Sequence, residues 1–247
     1  MKYILLVLTC ALVFVLPAAG QKPAAADSDR FILGGRTVIV PAPAGFTNGL
    51  RLLERFSAIA NATEGADLDI LAAHVPISSL LDLMSGAAAL DLYTKVSVAK
   101  KARSIDLTPA QFNEVVATVQ KNFSSYIDPK NPSFKKTIET ASTRLTERLG
   151  TETSLELSQP QNLGFFNKKP GVFSGMLMMS VHVNDVSQTM LGSVSYVLVN
   201  KRLIYVYGFK PLKSDEDVTT LQDFIKKWTA AIITANRPTA PARKHGK

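Results

Sequence analysis

Cysteine is almost absent from this 247-residue sequence, which contains one, Cys10. The signal peptide predicted below includes it, and its removal would leave a chain without any thiol. We therefore expect no disulfide, no cysteine nucleophile and no thiolate metal site. A chain of this length can bury an adequate hydrophobic core without cross-links.

Charged residues and long apolar runs are also few. Charged residues make up 19% of the chain and hydrophobic residues 46%, and 14 Gly and 13 Pro follow no fixed spacing. This composition excludes a globally disordered chain and a collagen-like repeat. Beyond the N-terminal region no stretch of about 18 apolar residues occurs, so no further membrane span is predicted.

Recognisable catalytic motifs are absent as well. The sequence contains no G-x-S-x-G elbow, P-loop, H-E-x-x-H, EF-hand loop or G-x-G-x-x-G. It also lacks the basic and aromatic pattern of nucleic-acid-binding proteins. We therefore predict a protein that is not an enzyme, requires no cofactor and binds no nucleic acid.

The N-terminus has the three parts of a secretory signal peptide. Lys2 supplies the positive charge, residues 4–16 form the apolar run, and Ala18 and Gly20 precede a cleavage site at Gln21. The apolar run is short for a membrane span. Residues 1–20 therefore predict export to the periplasm or the medium. The alternatives are an uncleaved anchor and a lipoprotein attached through the cysteine.

The net charge of +8 is concentrated at the other terminus. Residues 237–247 contain four basic residues, two prolines and no large apolar residue, a composition typical of a disordered, solvated tail. Contact with anionic lipid, a surface polymer or an acidic partner is the alternative. With residues 21–30 as a linker, this leaves a single domain over residues 31–236.

Hydrophobic spacing divides this domain into strands and helices. Strands are predicted over residues 36–40, 67–75, 90–102, 175–183, 193–199 and 202–209. Helices are predicted over residues 50–60, 78–84, 109–127, 134–149 and 214–236. Thr108 and Gln111 fit a capping box, and Asn200 fits the left-handed region of a two-residue hairpin turn. The grouping of strands favours an α+β fold: a mainly antiparallel sheet flanked by helices, in an α/β/α sandwich-like arrangement.

Two segments carry a family resemblance. An early strand leads into VPAPAGF at 40–46, and residues 192–236 are predicted to form a strand, a hairpin, a strand and a helix. Together they resemble the Mog1/PsbP-like group over about a third of the chain, whereas the helical segment 108–149 departs from a minimal version of that fold. The resemblance implies a non-enzymatic scaffold or assembly factor that binds other proteins. No functional residue is carried over.

The histidines and serines offer few candidates for chemistry. His182 with Asn184 and Asp185 has the side chains of an acid–base or metal site, but residues of this kind also end strands, and the structural role is favoured. His74 is expected to be a locally hydrogen-bonded strand-end residue. Ser174 is the least implausible nucleophile but has no flanking signature.

Two further clusters have competing interpretations. Four basic residues form a candidate anion-binding face together with residues 168–169. They are Lys95, Lys100, Lys101 and Arg103. The favoured alternative is that these lysines protect an edge strand from aggregation. Met176, Met178 and Met179 are expected to fill the core instead of binding a soft metal, because alternate strand residues point to opposite faces.

The leading hypothesis is an exported, periplasmic, non-enzymatic binding or assembly factor for an envelope protein or a surface component. The first alternative is an envelope hydrolase that uses His182 and Asp185. The second is a carrier of a small apolar ligand held between the sheet and the helices.

Overall fold

The computed structural model describes five segments of the chain, residues 28–85, 90–150, 152–158, 160–184 and 186–237. The predicted signal peptide with Cys10, the candidate Asp185 and most of the basic tail lie outside these described residues. A strand that was not predicted begins at Ser28, three residues before the predicted start of the domain, so the end of the predicted linker belongs to the fold.

Ten strands and six α-helices are present in the described segments. The strands are β1 (Ser28–Leu33), β2 (Arg36–Pro41), β3 (Phe46–Asn48), β4 (Leu68–Pro76), β5 (Tyr93–Ala99), β6 (Leu155–Leu157), β7 (Gln161–Lys169), β8 (Val172–Val183), β9 (Val186–Val199) and β10 (Arg202–Pro211). The helices are α1 (Gly49–Leu52), α2 (Glu54–Ala62), α3 (Leu80–Ser85), α4 (Pro109–Tyr126), α5 (Pro132–Leu149) and α6 (Glu216–Ala235).

Eight of these strands form one sheet, in the order β3-β4-β5-β10-β9-β8-β6, with β7 paired to β8 next to β6. The remaining two, β1 and β2, form a separate hairpin. All of these strand pairs are antiparallel. The predicted α+β class with a mainly antiparallel sheet flanked by helices is confirmed.

Helix α6 and the β1–β2 hairpin cover one face of the sheet. Apolar residues of the strands and of α6 form the larger core cluster there, including Val96, Ile204, Val206, Leu221, Ile225 and Ile232. Trp228 Nε1 donates a hydrogen bond to the Pro41 carbonyl at 2.8 Å. At the end of α6, the Asn236 side chain accepts from the Ile39 N–H and donates to its carbonyl. These bonds attach the hairpin to the helix.

Helix α4 covers part of the opposite face, where Phe112, Val119 and Phe123 are buried. It begins at the predicted capping box. The Thr108 hydroxyl accepts from the Gln111 N–H at 3.2 Å, and the Gln111 side chain accepts from the Thr108 N–H at 2.9 Å. Because both partners are local in sequence, the start of this helix was predictable.

Two of the tight hairpin turns have left-handed residues at both central positions. Gly34 and Gly35 join β1 to β2 with φ of 52° and 78°. Asn200 and Lys201 join β9 to β10 with φ of 48° and 64°. The left-handed conformation predicted for Asn200 is confirmed. Positive φ at both central residues is the type I′ geometry that suits the twist of a hairpin.

Two of the predicted elements are wrong in detail, and four strands, β1, β3, β6 and β7, were not predicted. The helix expected over residues 50–60 is divided into α1 and α2 at Leu53, which is extended and buried. Strand β5 ends at Ala99, and a 3-10 turn follows it. Strands β6 and β7 were not predicted, because β6 is very short and β7 contains two irregularities that break the alternation.

Candidate functional site: an apolar cavity beside the sheet

A cavity of about 840 Å³ lies between the sheet and helices α2, α3 and α5, on the same sheet face as α4. It is partly open to solvent, and its lining is mostly apolar. Characteristic wall residues are Phe56 and Ile59 of α2, Ile138 of α5, Met179 of β8, Met190 of β9 and Phe209 of β10. Pockets of this volume and character are typical of sites for small organic ligands.

The sheet wall follows from the alternation of strand residues. Met179 and Met190 are directly paired across β8 and β9, and both line the cavity. Met176 and Leu191 point to the other face of the sheet. Both are fully buried there, in the core under α6. Alternate methionines of β8 therefore serve different faces, one in the core and one in the cavity wall.

Aromatic rings form one end of the cavity. The Tyr93 ring stacks on Phe209 at 4.8 Å between centroids and meets the Phe56 ring edge-on at 6.5 Å. Burial raises the pKa of the Tyr93 hydroxyl to about 12, so it stays protonated at neutral pH. This end of the site therefore carries a hydrogen-bond donor.

The rim of the cavity exposes apolar side chains. Leu52 is 56% and Met84 70% exposed, and both line the cavity. Leu81 on α3 is 80% exposed and Ile77 just before it 55%. Contiguous apolar surface beside a pocket marks a place where a ligand or partner binds.

One ion pair stands at the polar edge of the cavity. Lys95 lines the cavity, and its Nζ lies 2.8 Å from Glu64 Oε2, with 13% and 7% of the two side chains exposed. The Ser97 hydroxyl donates to the same oxygen at 2.9 Å. Lys95 Nζ also lies 5.0 Å from the centre of the Tyr207 ring. The pair is buried and its carboxylate is well hydrogen-bonded.

The structure separates the predicted basic cluster. Lys100 and Arg103 line a second, polar cleft of about 650 Å³ together with Arg144 and Arg148, whereas Lys95 lines the apolar cavity. In the cleft, Lys100 Nζ donates to the Ala66 carbonyl at 2.7 Å and Arg103 forms an ion pair with Asp69 at 3.2 Å.

Other expectations about the basic cluster also change. Lys101 is exposed and does not line either cavity. Strands β10, β9 and β8 separate β5 from residues 168–169 on β7, so these residues do not form one face. The edge-strand interpretation of Lys95 is wrong, because β5 is paired on both sides, with β4 and β10.

The described candidates for a hydrolase site, His182 and Asn184, lie near the end of β8 and in the turn after it. Half-buried His182 is paired across strands with Glu156 and Ser187, and its proposed partner Asp185 lies outside the described residues. Asn184 is a left-handed turn residue whose side chain accepts from the Ser154 N–H at 2.9 Å. Asn184 therefore has a structural role in this turn.

The remaining candidates are inaccessible. Ser174 is fully buried and hydrogen-bonded to Ser195 at 2.7 Å. His74 is fully buried, with Nδ1 3.2 Å from the Thr94 hydroxyl and its ring edge-on to Trp228. Burial lowers the pKa of His74 to about 4. Among the described residues, no three His, Cys, Asp or Glu side chains are arranged to hold a metal ion.

The cavity residues on α2, α3 and β6 were missed as a site. One sequence signal was available: residues 80–84 of α3, LLDLM, are apolar at four of five positions, more than one buried helix face requires. The involvement of β6 had no such signal.

Comparisons with known proteins give no sequence match and two similar solved structures. No protein-family model and no curated protein sequence matches the chain. Among solved structures, the chain is similar to the Saccharomyces cerevisiae Ran-binding protein Mog1p, with 14% identity and a TM-score of 0.28 over 86% of this chain and 95% of that one. A point mutant of the protein Mog1 gives 13% identity and a TM-score of 0.29 over 85% and 94%. Overlaps of this size leave the function to be argued from the residues of this chain.

None of the helices in the described segments is long and apolar enough to span a membrane.

Proposed function

We propose that this protein binds a small apolar ligand in the cavity between the sheet and helices α2, α3 and α5, and that it acts as a carrier without catalysis. The observation that supports the proposal most is the cavity itself, with its volume of about 840 Å³ and its mostly apolar wall. The site corresponds to the second alternative drawn from the sequence, a ligand between sheet and helices.

Energetics favours an occupied cavity. The cavity is partly open, so its mostly apolar wall meets water when no ligand is bound. Water gains little from such a wall, because it needs two to four polar partners. An apolar ligand gains about 25 cal/mol for each Å² of apolar surface that it removes from water.

The polar groups near the cavity support binding over catalysis. Lys95 and Glu64 neutralise each other in an ion pair, and Ser174 and His74 belong to the opposite, fully packed face of the sheet. A nucleophile and base within reach of each other and of the cavity would be needed for hydrolysis.

A titration with the apolar fluorescent dye N-phenyl-1-naphthylamine tests the proposal, using the chain from Gln21 onward. Ala60→Phe places a ring in the cavity wall, where Ala60 is buried, and should weaken dye binding about tenfold or more. The matched control is Ala117→Phe, on the exposed side of α4. Equal dye binding by the two variants, or none by the unaltered chain, would contradict the proposal.

We also propose that the ligand is bound in the cell envelope and exchanged there with an envelope protein or surface component. Residues 1–20 support the location, and the exposed Leu52 and Met84, which line the cavity, support an exchange surface. In-cell crosslinking from position 84 tests this surface. Equal capture from Ile105, which is 52% exposed and does not line the cavity, would count against it.

A further inference from the structure

We infer that the ligand carries an uncharged hydrogen-bond acceptor, such as a ketone, ester or amide carbonyl, and that Lys95 donates to it. The inference rests on the proposed function, because it assigns the chemical class of the molecule in the same cavity. Lys95 is the charged residue among the described strand residues that line this cavity.

The Lys95 ammonium has donors to spare. An ammonium carries three N–H donors, and within the described part of the chain Lys95 forms one ion pair, with Glu64 Oε2 at 2.8 Å from Nζ. The Tyr207 ring, 5.0 Å away, meets the charge through its face without accepting a conventional hydrogen bond. A buried donor group of this kind gains from an acceptor supplied by a ligand.

Tyr93 provides a second donor on the same face of β5. It precedes Lys95 by two positions, so both side chains point into the cavity, which both line. Two donors at one wall and apolar groups elsewhere fit an elongated apolar molecule with an acceptor at one end.

Charge balance argues against an ionised ligand. Among the described residues, the charged ones that line the cavity are Lys95, Glu54 and Arg55, and Glu64 stands behind the lysine, so these formal charges cancel. The second cation, Arg55, is exposed on α2. A carboxylate placed at Lys95 would therefore compete with Glu64 for the same ammonium and add a negative charge to a partly buried ion pair, which is costly. An uncharged acceptor leaves the ion pair intact.

Displacement of the bound dye by three ten-carbon molecules tests the inference. At pH 7.5 we expect 2-decanone to displace the dye at a concentration about tenfold lower than decane does, because it gains a charge-assisted hydrogen bond. We expect decanoate to be weaker than 2-decanone. Tightest binding of decanoate, or equal binding of 2-decanone and decane, would overturn the inference while leaving the apolar cavity established.

A double variant assigns the effect to Lys95. Lys95→Met alone would leave Glu64 buried and uncompensated, so it is combined with Glu64→Gln. The double variant should lose the preference for 2-decanone over decane, with both molecules measured by displacement of the same dye from that variant. A retained preference would overturn the role of Lys95. If the double variant does not fold, the ranking of the three molecules on the unaltered chain decides. Failure of that chain to bind dye would refute the proposed function as well.

Discussion

At the scale of single residues, His74 couples the stability of the fold to pH. Its Nε2 is buried and has no hydrogen-bond partner among the described residues, and its pKa of about 4 lies below the usual value of about 6.5. Between these two values the unfolded chain binds the proton that the folded chain excludes. The stabilisation is complete above pH 6.5 and is lost as the pH falls towards 4.

We predict that the free energy of unfolding drops by about 3 kcal/mol between pH 7 and pH 4 through this residue, since one pKa unit corresponds to about 1.4 kcal/mol. Urea unfolding at several pH values measures the drop. His74→Leu should flatten the profile, whereas His182→Gln, at a half-buried site, should not. A profile unchanged by His74→Leu would refute the assignment.

Two carboxylates act in a different pH range. Hydrogen bonds from Arg36 and Arg202 lower the pKa of Asp106, and the backbone N–H of Lys213 and the Lys210 side chain lower that of Asp217. A lowered carboxyl pKa stabilises the fold above the usual value of about 4 and is lost as the pH falls below it. The histidine effect is therefore resolved above pH 4.5.

At the scale of elements, the turn of the β1–β2 hairpin depends on one close approach. A Cβ on Gly34 would lie 2.5 Å from the Ser104 Cα, and φ there is +52°. Gly35 has φ of +78°, but a Cβ on it would meet no described atom within 4 Å. The buried Arg202 donates to the carbonyls of Leu33 and Gly34 at 2.8 and 2.9 Å, so the turn is held against the sheet.

We predict that Gly35→Ala costs about 1 kcal/mol, the strain of a left-handed alanine. Gly34→Ala should cost at least about 1–2 kcal/mol more, because backbone must move to relieve the overlap. Chemical denaturation of both variants measures the difference. Equal losses would show that the contact with Ser104 does not constrain the turn.

Elements differ in how far their own sequence determines them. The start of α4 and the turn at Asn200 were predictable, since each depends on residues within one turn of chain. The break between α1 and α2 at the buried, extended Leu53 was not, because the apolar spacing of residues 50–60 fits one continuous helix. Strand β6 likewise exists through its pairing with β8, which only the tertiary structure provides.

At the scale of the whole molecule, the set of residues that line the cavity was likewise not predictable from local sequence. The sequence suggested a ligand between sheet and helices, but it grouped Lys95 with Lys100 and Arg103 as neighbours in a basic run. Strand β5 directs Lys95 into the apolar cavity, and the turn that follows carries Lys100 and Arg103 to the polar cleft. Which residues meet in space depends on the register of several strands, and composition does not encode that.

The location of the protein is also a whole-molecule prediction. If residues 1–20 direct export and are removed, the intact mass of the protein from the periplasm or medium should correspond to a chain that begins at Gln21. Mass spectrometry of the fractionated protein measures this. A chain that begins at Met1 in the membrane fraction would indicate the uncleaved anchor, and full-length protein in the cytoplasm would refute export.

The position of β10 in the sheet has a consequence for folding kinetics. This strand lies between β5 and β9, and Tyr205 pairs with Ser97, roughly 100 residues earlier in the chain. Strand β5 therefore has no partner on its inner side until almost the whole chain has been synthesised. Such long-range closure slows folding, so the sheet is completed only as a late event, after the last strand has left the ribosome.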